Sequence, residues 1–114
     1  MAFVLKPIPD ITVAVPIKVP GEDEPSVIQA RWRLRTWDDY QARSEEVRRQ
    51  EVSDEALVGD DLLDLEGIQD EGGQALDYSP ALLEQLMQIT PVRQALVLSW
   101  FRAQQGREEA AAKN

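Results

Sequence analysis

The sequence predicts a small α+β domain in which an N-terminal antiparallel β-hairpin packs on about four helices. Apolar and polar residues alternate through residues 11–35, which is typical of half-buried strands. From residue 36 onward, helix-capping residues repeatedly precede apolar residues at helical spacing. Because 114 residues are the length of one ordinary domain, we expect a single domain over residues 1–106 and a flexible C-terminal tail over residues 107–114.

The hairpin is the first predicted element. Its first strand directs one set of apolar side chains to a single face: Ile11, Val13, Val15, Ile17 and Val19. Pro16 cannot donate to a β-ladder, so we expect this strand to lie at a sheet edge or to carry a bulge. The returning strand alternates Ile28, Ala30, Trp32 and Leu34 with Gln29, Arg31, Arg33 and Arg35. Since an isolated hairpin is marginally stable in water, its apolar face must pack on the helices that follow.

Four helices are predicted after the hairpin, over about residues 37–50, 54–65, 80–89 and 91–105. Each follows a Ser or Thr that can act as N-cap: Thr36, Ser53, Ser79 and Thr90. Leu62 and Leu65 belong to the apolar set of the second helix, which Gly59 weakens or kinks. A loop over residues 66–77 contains a tight turn at Asp-Glu-Gly-Gly, and Gly106 ends the last helix.

Composition excludes several classes of function. The formal charge of −9 and the pI near 4.4 disfavour nucleic acid and anionic membranes as partners. The chain has no Cys and no His, which removes thiolate zinc sites, Cys nucleophiles and His-based triads. It also has no apolar run of about 18 residues, and the pattern of its first residues is not the one expected of a secretory signal. We therefore predict a cytoplasmic protein that is not an enzyme and holds no metal or cofactor.

The charged residues have ordinary interpretations as solvated or paired groups. Ten acids and no base lie between residues 51 and 77, and an EF-hand register would put Leu62 or Ile68 at the first ligand position. A solvated acidic face is therefore favoured, with a basic partner surface as the alternative. The carboxylate pairs Asp38/Asp39, Asp60/Asp61 and Glu108/Glu109 lie in polar sequence, where both acids should ionise. For Arg31, Arg33 and Arg35, pairing with the protein's own carboxylates or with an acidic neighbour is favoured over contact with phosphate.

The last helix has the least ordinary pattern, because it is apolar over most of its circumference. Such a helix is either fully buried or shared with a partner, and both can hold at once. The predicted partner-binding residues are Val92, Leu96, Val97, Leu98, Trp100 and Phe101. This wide apolar helix and the edge strand containing Pro16 also predict self-association.

The order of these features resembles the tail assembly chaperones of long-tailed, non-contractile double-stranded DNA phages. The most specific stretch runs from Leu65 to Phe101, through a Gly, an Asp-x-x-Gly turn, an aromatic-Ser helix start and a final amphipathic helix. The matching positions are Gly67, Asp70, Gly73, Tyr78, Ser79, Leu83, Val92, Ala95, Leu96 and Phe101. Leu65 stands where the family has Trp.

The resemblance implies a late, non-catalytic function in virion assembly. Proteins of this family coat the tape-measure protein in the host cytoplasm before the tail tube polymerises, and they are absent from the mature virion. A longer form, made by programmed frameshifting, recruits tail tube subunits. Ala112, Lys113 and Asn114 permit such a site if their codons read GCA-AAA-AAC.

Two other classes of function stay open at this point. One is a structural virion component, such as a head–tail joining or tail-terminator protein, which would be present in purified virions. The other is an acidic inhibitor or DNA mimic, which would bind one basic host protein in a salt-sensitive way.

Overall fold

The computed structural model describes residues 1–107, which contain three strands and four helices. In chain order these are β1 Asp10–Ile17, β2 Ser26–Arg33, α1 Trp37–Arg48, α2 Asp54–Asp61, β3 Leu62–Glu66, α3 Pro80–Met87 and α4 Thr90–Gln104. The predicted α+β class is confirmed. The Glu108/Glu109 pair, the predicted frameshift codons and all of the predicted tail except Arg107 lie outside the described residues.

The predicted hairpin forms the first two strands of an antiparallel sheet with the order β1-β2-β3. Val13 pairs with Ala30 and Val15 with Ile28, so the alternating apolar side chains meet on one buried face. Pro16 lies in β1, and β1 is an edge strand, as predicted. The missing N–H of this proline is tolerated because β1 has a neighbouring strand on one side only.

The predicted helix over residues 54–65 is wrong beyond Asp61. Residues Leu62–Glu66 form β3, which pairs with β2. A register shift in β2 between Arg31 and Trp32 leaves one extra residue in β3, so Leu62 and Leu65 are both buried although they are three positions apart. Their spacing is therefore that of a bulged strand, which sequence alone does not distinguish from a helical stripe. Gly59 lies within α2 and does not end it.

The helix boundaries otherwise follow the predicted caps within a few residues. The side chains of Thr36, Ser53 and Ser79 each accept a hydrogen bond from the backbone N–H three residues later. The prediction that Thr90 is an N-cap is wrong, because Thr90 is the first residue of α4. The N-cap of α4 is Ile89, which makes no side-chain hydrogen bond. Helix α1 ends at Arg48 instead of residue 50, because Gln50 adopts a left-handed backbone conformation.

The core lies between one face of the sheet and helices α2, α3 and α4. Helix α4 lies against β1 and also contacts α2 and α3, which makes it the central helix of the layer. Helix α1 is mostly solvated and contributes only partly buried side chains such as Tyr40 and Val47. The largest fully buried side chains are Trp32, Trp100, Leu57, Met87, Leu96, Val15, Val58 and Asp61.

Candidate partner-binding surface

The six residues predicted to bind a partner divide into two groups on α4. Val92, Leu96 and Trp100 are buried in the core, so their assignment to a partner surface is corrected. They share one side of the helix because their positions repeat every four residues, and that side packs on the sheet and on α2. Their apolar character is explained by the fold of this domain alone.

The other three predicted residues, Val97, Leu98 and Phe101, face outward or lie at the border of the core. Leu98 is 48% exposed, whereas Val97 and Phe101 are half-buried. Trp37 at the start of α1 is 66% exposed, and its indole reaches α4 through Tyr40, which stacks on Trp100. We call Trp37, Val97, Leu98 and Phe101 the client face. Its three α4 residues are the part of the predicted surface that another molecule can reach, and Trp37 is an addition that the structure makes.

A series of aromatic contacts connects Trp37 to Phe101. Ring centroids of Trp37 and Tyr40 are 5.8 Å apart, and Tyr40 stacks on Trp100 at the same distance. Trp100 then meets the edge of Phe101 at 4.8 Å. Because Trp100 is fully buried, the exposed and half-buried rings rest on a fixed support.

Two buried tryptophans fix α4 to the rest of the fold by hydrogen bonds. The Trp32 Nε1–H donates to Ser99 Oγ at 2.9 Å, which joins β2 to the helix. The Trp100 Nε1–H donates to the Asp61 carboxylate at 2.8 Å, which joins α4 to the end of α2. Both bonds are buried, so breaking either would leave a polar group without a partner. They hold the client face at a defined orientation.

Asp61 is fully buried and accepts three hydrogen bonds. Besides that of Trp100, it accepts one from Arg33 Nη2 at 2.6 Å and one from Arg35 Nε at 2.7 Å. The predicted pairing of the arginine row with the protein's own carboxylates is confirmed for Arg33 and Arg35. Arg31, the third of the row, has its Nε 3.8 Å from an Asp10 carboxylate oxygen. Asp61 also belongs to the acidic stretch for which a solvated face is predicted, and that prediction is wrong for this residue.

Arg93 holds α4 to its neighbouring helices. Its guanidinium pairs with Asp54 at 3.2 Å and with Glu55, both in the first turn of α2, and its Nε donates to Met87 O at 2.8 Å. The hydrogen bond from Arg93 lowers the pKa of Glu55 below its ordinary value. These pairs are partly solvated, and we assign them a role in positioning the helices.

Residues 1–9 form an exposed segment that is mostly apolar. All nine are exposed, and five carry large apolar side chains: Met1, Phe3, Val4, Leu5 and Ile8. The periodicity that predicts the hairpin begins at residue 11 and does not identify this segment as a surface feature. The available signal was that its apolar residues are consecutive, Phe-Val-Leu, and do not alternate with polar ones.

Within residues 1–107, no group of three or more Asp or Glu side chains is arranged to hold a metal ion. Tyr78 borders an open cleft beside β3, where burial, together with the charge of Asp64, raises the pKa of its hydroxyl. None of the helices in this part of the chain has the length and apolar composition needed to cross a membrane.

Comparisons of this chain with protein-family models, with curated proteins and with solved structures find no match. The functional inference therefore depends on the surfaces described above and on the sequence motifs that resemble the phage chaperones.

Proposed function

We propose that this protein is a phage tail assembly chaperone that binds the tape-measure protein in the host cytoplasm and is absent from the mature virion. In this proposal a longer, frameshifted form recruits tail tube subunits. The single observation that carries the proposal is the client face, an apolar surface left open on a rigidly held helix. Exposed apolar patches of this kind mark sites of protein–protein contact.

The chemistry of the client face suits an amphipathic helix as ligand. The aliphatic side chain of Leu98 and the indole of Trp37 are exposed, and Phe101 is half-buried. Tape-measure proteins of this phage class are long and helical, and apolar side chains spaced along a helix can insert between such groups. Aromatic residues supply large contact areas at low entropic cost, so Trp37 and Phe101 are the expected anchors.

The negative charge of the chain suits the same function. Asp38 and Asp39 follow Trp37 directly in the first turn of α1 and are exposed. The formal charge of the chain is −9, so complexes of the chain with an apolar client would repel one another strongly. Such repulsion opposes aggregation of the client before the tube assembles.

The test is co-expression of this chain with segments of the tape-measure protein encoded beside its gene. Trp37→Glu places a charge on the most exposed residue of the client face, and we expect it to weaken co-purification at least about tenfold. Leu63→Glu is the matched control, because Leu63 is 40% exposed but lies on β3 at the opposite edge of the sheet. Circular dichroism of both variants verifies that each is folded.

Three results would contradict the proposal. The first is that no tape-measure segment binds the unaltered chain. The second is recovery of the chain in purified virions, which would favour a head–tail joining or tail-terminator protein. The third is salt-sensitive binding to one basic host protein, which would favour an inhibitor or DNA mimic.

A further inference from the structure

The segment of residues 1–9, which we call the arm, has no packing partner within its own globule. Leu5 is 92% exposed, and the other large apolar side chains of the arm are also exposed. Lys6 is its single charged side chain, so the arm lacks the acidic groups that dominate the rest of the surface. An extended apolar segment of this size is expected to be covered by another protein surface.

The free edge of β1 offers the arm a place to bind. Leu34 N–H donates to Pro9 O at 2.9 Å, and the antiparallel register continues through Val13 opposite Ala30. Because paired and unpaired positions alternate along an antiparallel ladder, the backbone groups of Asp10, Thr12 and Ala14 point away from β2. They form a row of donors and acceptors to which an added strand can bind.

An apolar cleft lies beside the same edge, between β1 and α4. Its lining residues are Val13, Ala14, Val15, Pro16, Ala95, Leu98, Ser99, Arg102 and Arg107. The cleft encloses about 40 Å³, which suits a single inserted side chain and is too small for the face of a helix. A strand that pairs with β1 would direct every second side chain toward this side of the sheet.

The arm cannot easily reach the cleft of its own molecule. Residues 1–6 could lie along the free edge of β1 in the same molecule only if the chain reversed its direction within residues 6–9. The two-residue turns favoured in β-hairpins have positive φ angles, which Pro7 and Pro9 cannot adopt because their φ is fixed near −65°. The hydrogen bond accepted by Pro9 also holds the chain in the direction of β1 up to that residue. The arm therefore extends away from its own cleft.

We infer that the arm of one molecule pairs with the free edge of β1 in a second copy of this chain and inserts an apolar side chain into its β1–α4 cleft. The occupant is a second copy because each molecule carries both an unpartnered arm and an open cleft. The contact is heterologous, so repeated addition gives chains of molecules, whereas reciprocal exchange of arms gives a closed dimer. This inference does not depend on the proposed function.

Disulfide crosslinking tests the contact directly, since the chain has no cysteine of its own. A tagged chain carrying Phe3→Cys or Leu5→Cys is mixed with an untagged chain carrying Ala95→Cys and then oxidised. We expect a covalent dimer of tagged and untagged chains. Val97→Cys is the matched control, because Val97 is half-buried like Ala95 but lies on the other side of α4 and does not line the cleft.

Sedimentation of the unaltered chain and of arm variants provides the second measurement. Replacing both Phe3 and Leu5 by Ser should raise the dissociation constant for self-association at least about tenfold. Lys6→Ser changes the same arm without removing apolar surface and should leave the constant within about twofold.

Three results would overturn the inference. The first is a strict monomer at millimolar concentration. The second is that neither Phe3→Cys nor Leu5→Cys crosslinks more to Ala95→Cys than to Val97→Cys. The third is that replacing Phe3 and Leu5 by Ser leaves the dissociation constant for self-association unchanged. Binding of tape-measure segments is measured separately, so loss of either proposal leaves the other to be judged on its own data.

Discussion

At the scale of single residues, Asp61 shows where sequence analysis reaches its limit. Asp60 and Asp61 are adjacent and chemically identical, and both lie in an acidic stretch. Only the fold separates them: Asp60 is exposed and pairs with Arg43, whereas Asp61 is buried among Arg33, Arg35 and Trp100. The preference of the arginines for internal carboxylates could be predicted from the net charge. Which of the two carboxylates they bind could be predicted only if the end of α2 were known.

Asp61→Asn tests the role of this buried carboxylate. The amide keeps an acceptor but loses the charge that binds two arginines, one of them largely buried, so we expect a loss of about 2–4 kcal/mol in the free energy of unfolding. Asp60→Asn removes an exposed pair and should cost less than about 1 kcal/mol. Urea unfolding followed by tryptophan fluorescence measures both. Equal effects of the two substitutions would show that Asp61 does not organise the core.

At the scale of elements, sequence signals located helix starts better than they distinguished strand from helix. Ser79 and Pro80 begin α3 as predicted, since capping is a local interaction that the sequence contains in full. β3 was missed because its pairing with β2 is a long-range contact and its bulge imitates helical spacing. The predicted turn within residues 66–77 is confirmed by the bridge between Gln69 and Ala75.

Replacing Gly59 and Gly67 by alanine should change the free energy of unfolding in opposite directions. Gly59 lies inside α2, where an added methyl group meets only Leu83 at 3.9 Å, so Gly59→Ala should raise the free energy of unfolding by about 0.5–1 kcal/mol. Gly67 follows β3 with a φ of +94°, so Gly67→Ala should lower it by about 1 kcal/mol or more. Thermal unfolding of the two variants measures both effects. Unfolding temperatures that shift in the same direction for both variants would contradict the assigned end of β3.

At the scale of the whole molecule, acidic and apolar surfaces are segregated. Acids surround the globule, while the arm has none and the client face is uncharged. Sequence periodicity identified α4 as too apolar for a solvated helix, but its division into core and client face depends on which side meets the sheet. The arm was missed because a periodic pattern describes how a segment packs and does not reveal that a segment has nothing to pack on.

This segregation predicts how salt affects self-association. Two copies with a formal charge of −9 repel each other, whereas the proposed contact between arm and cleft is apolar. Raising the ionic strength from about 0.1 M to about 1 M shortens the screening length from about 10 Å to about 3 Å, which weakens the repulsion and leaves the apolar contact intact. We therefore expect sedimentation to show larger species at high salt, and the chain with Phe3→Ser and Leu5→Ser to stay monomeric throughout. Dissociation on adding salt would mean that ion pairs hold the copies together, and the apolar contact would then be rejected.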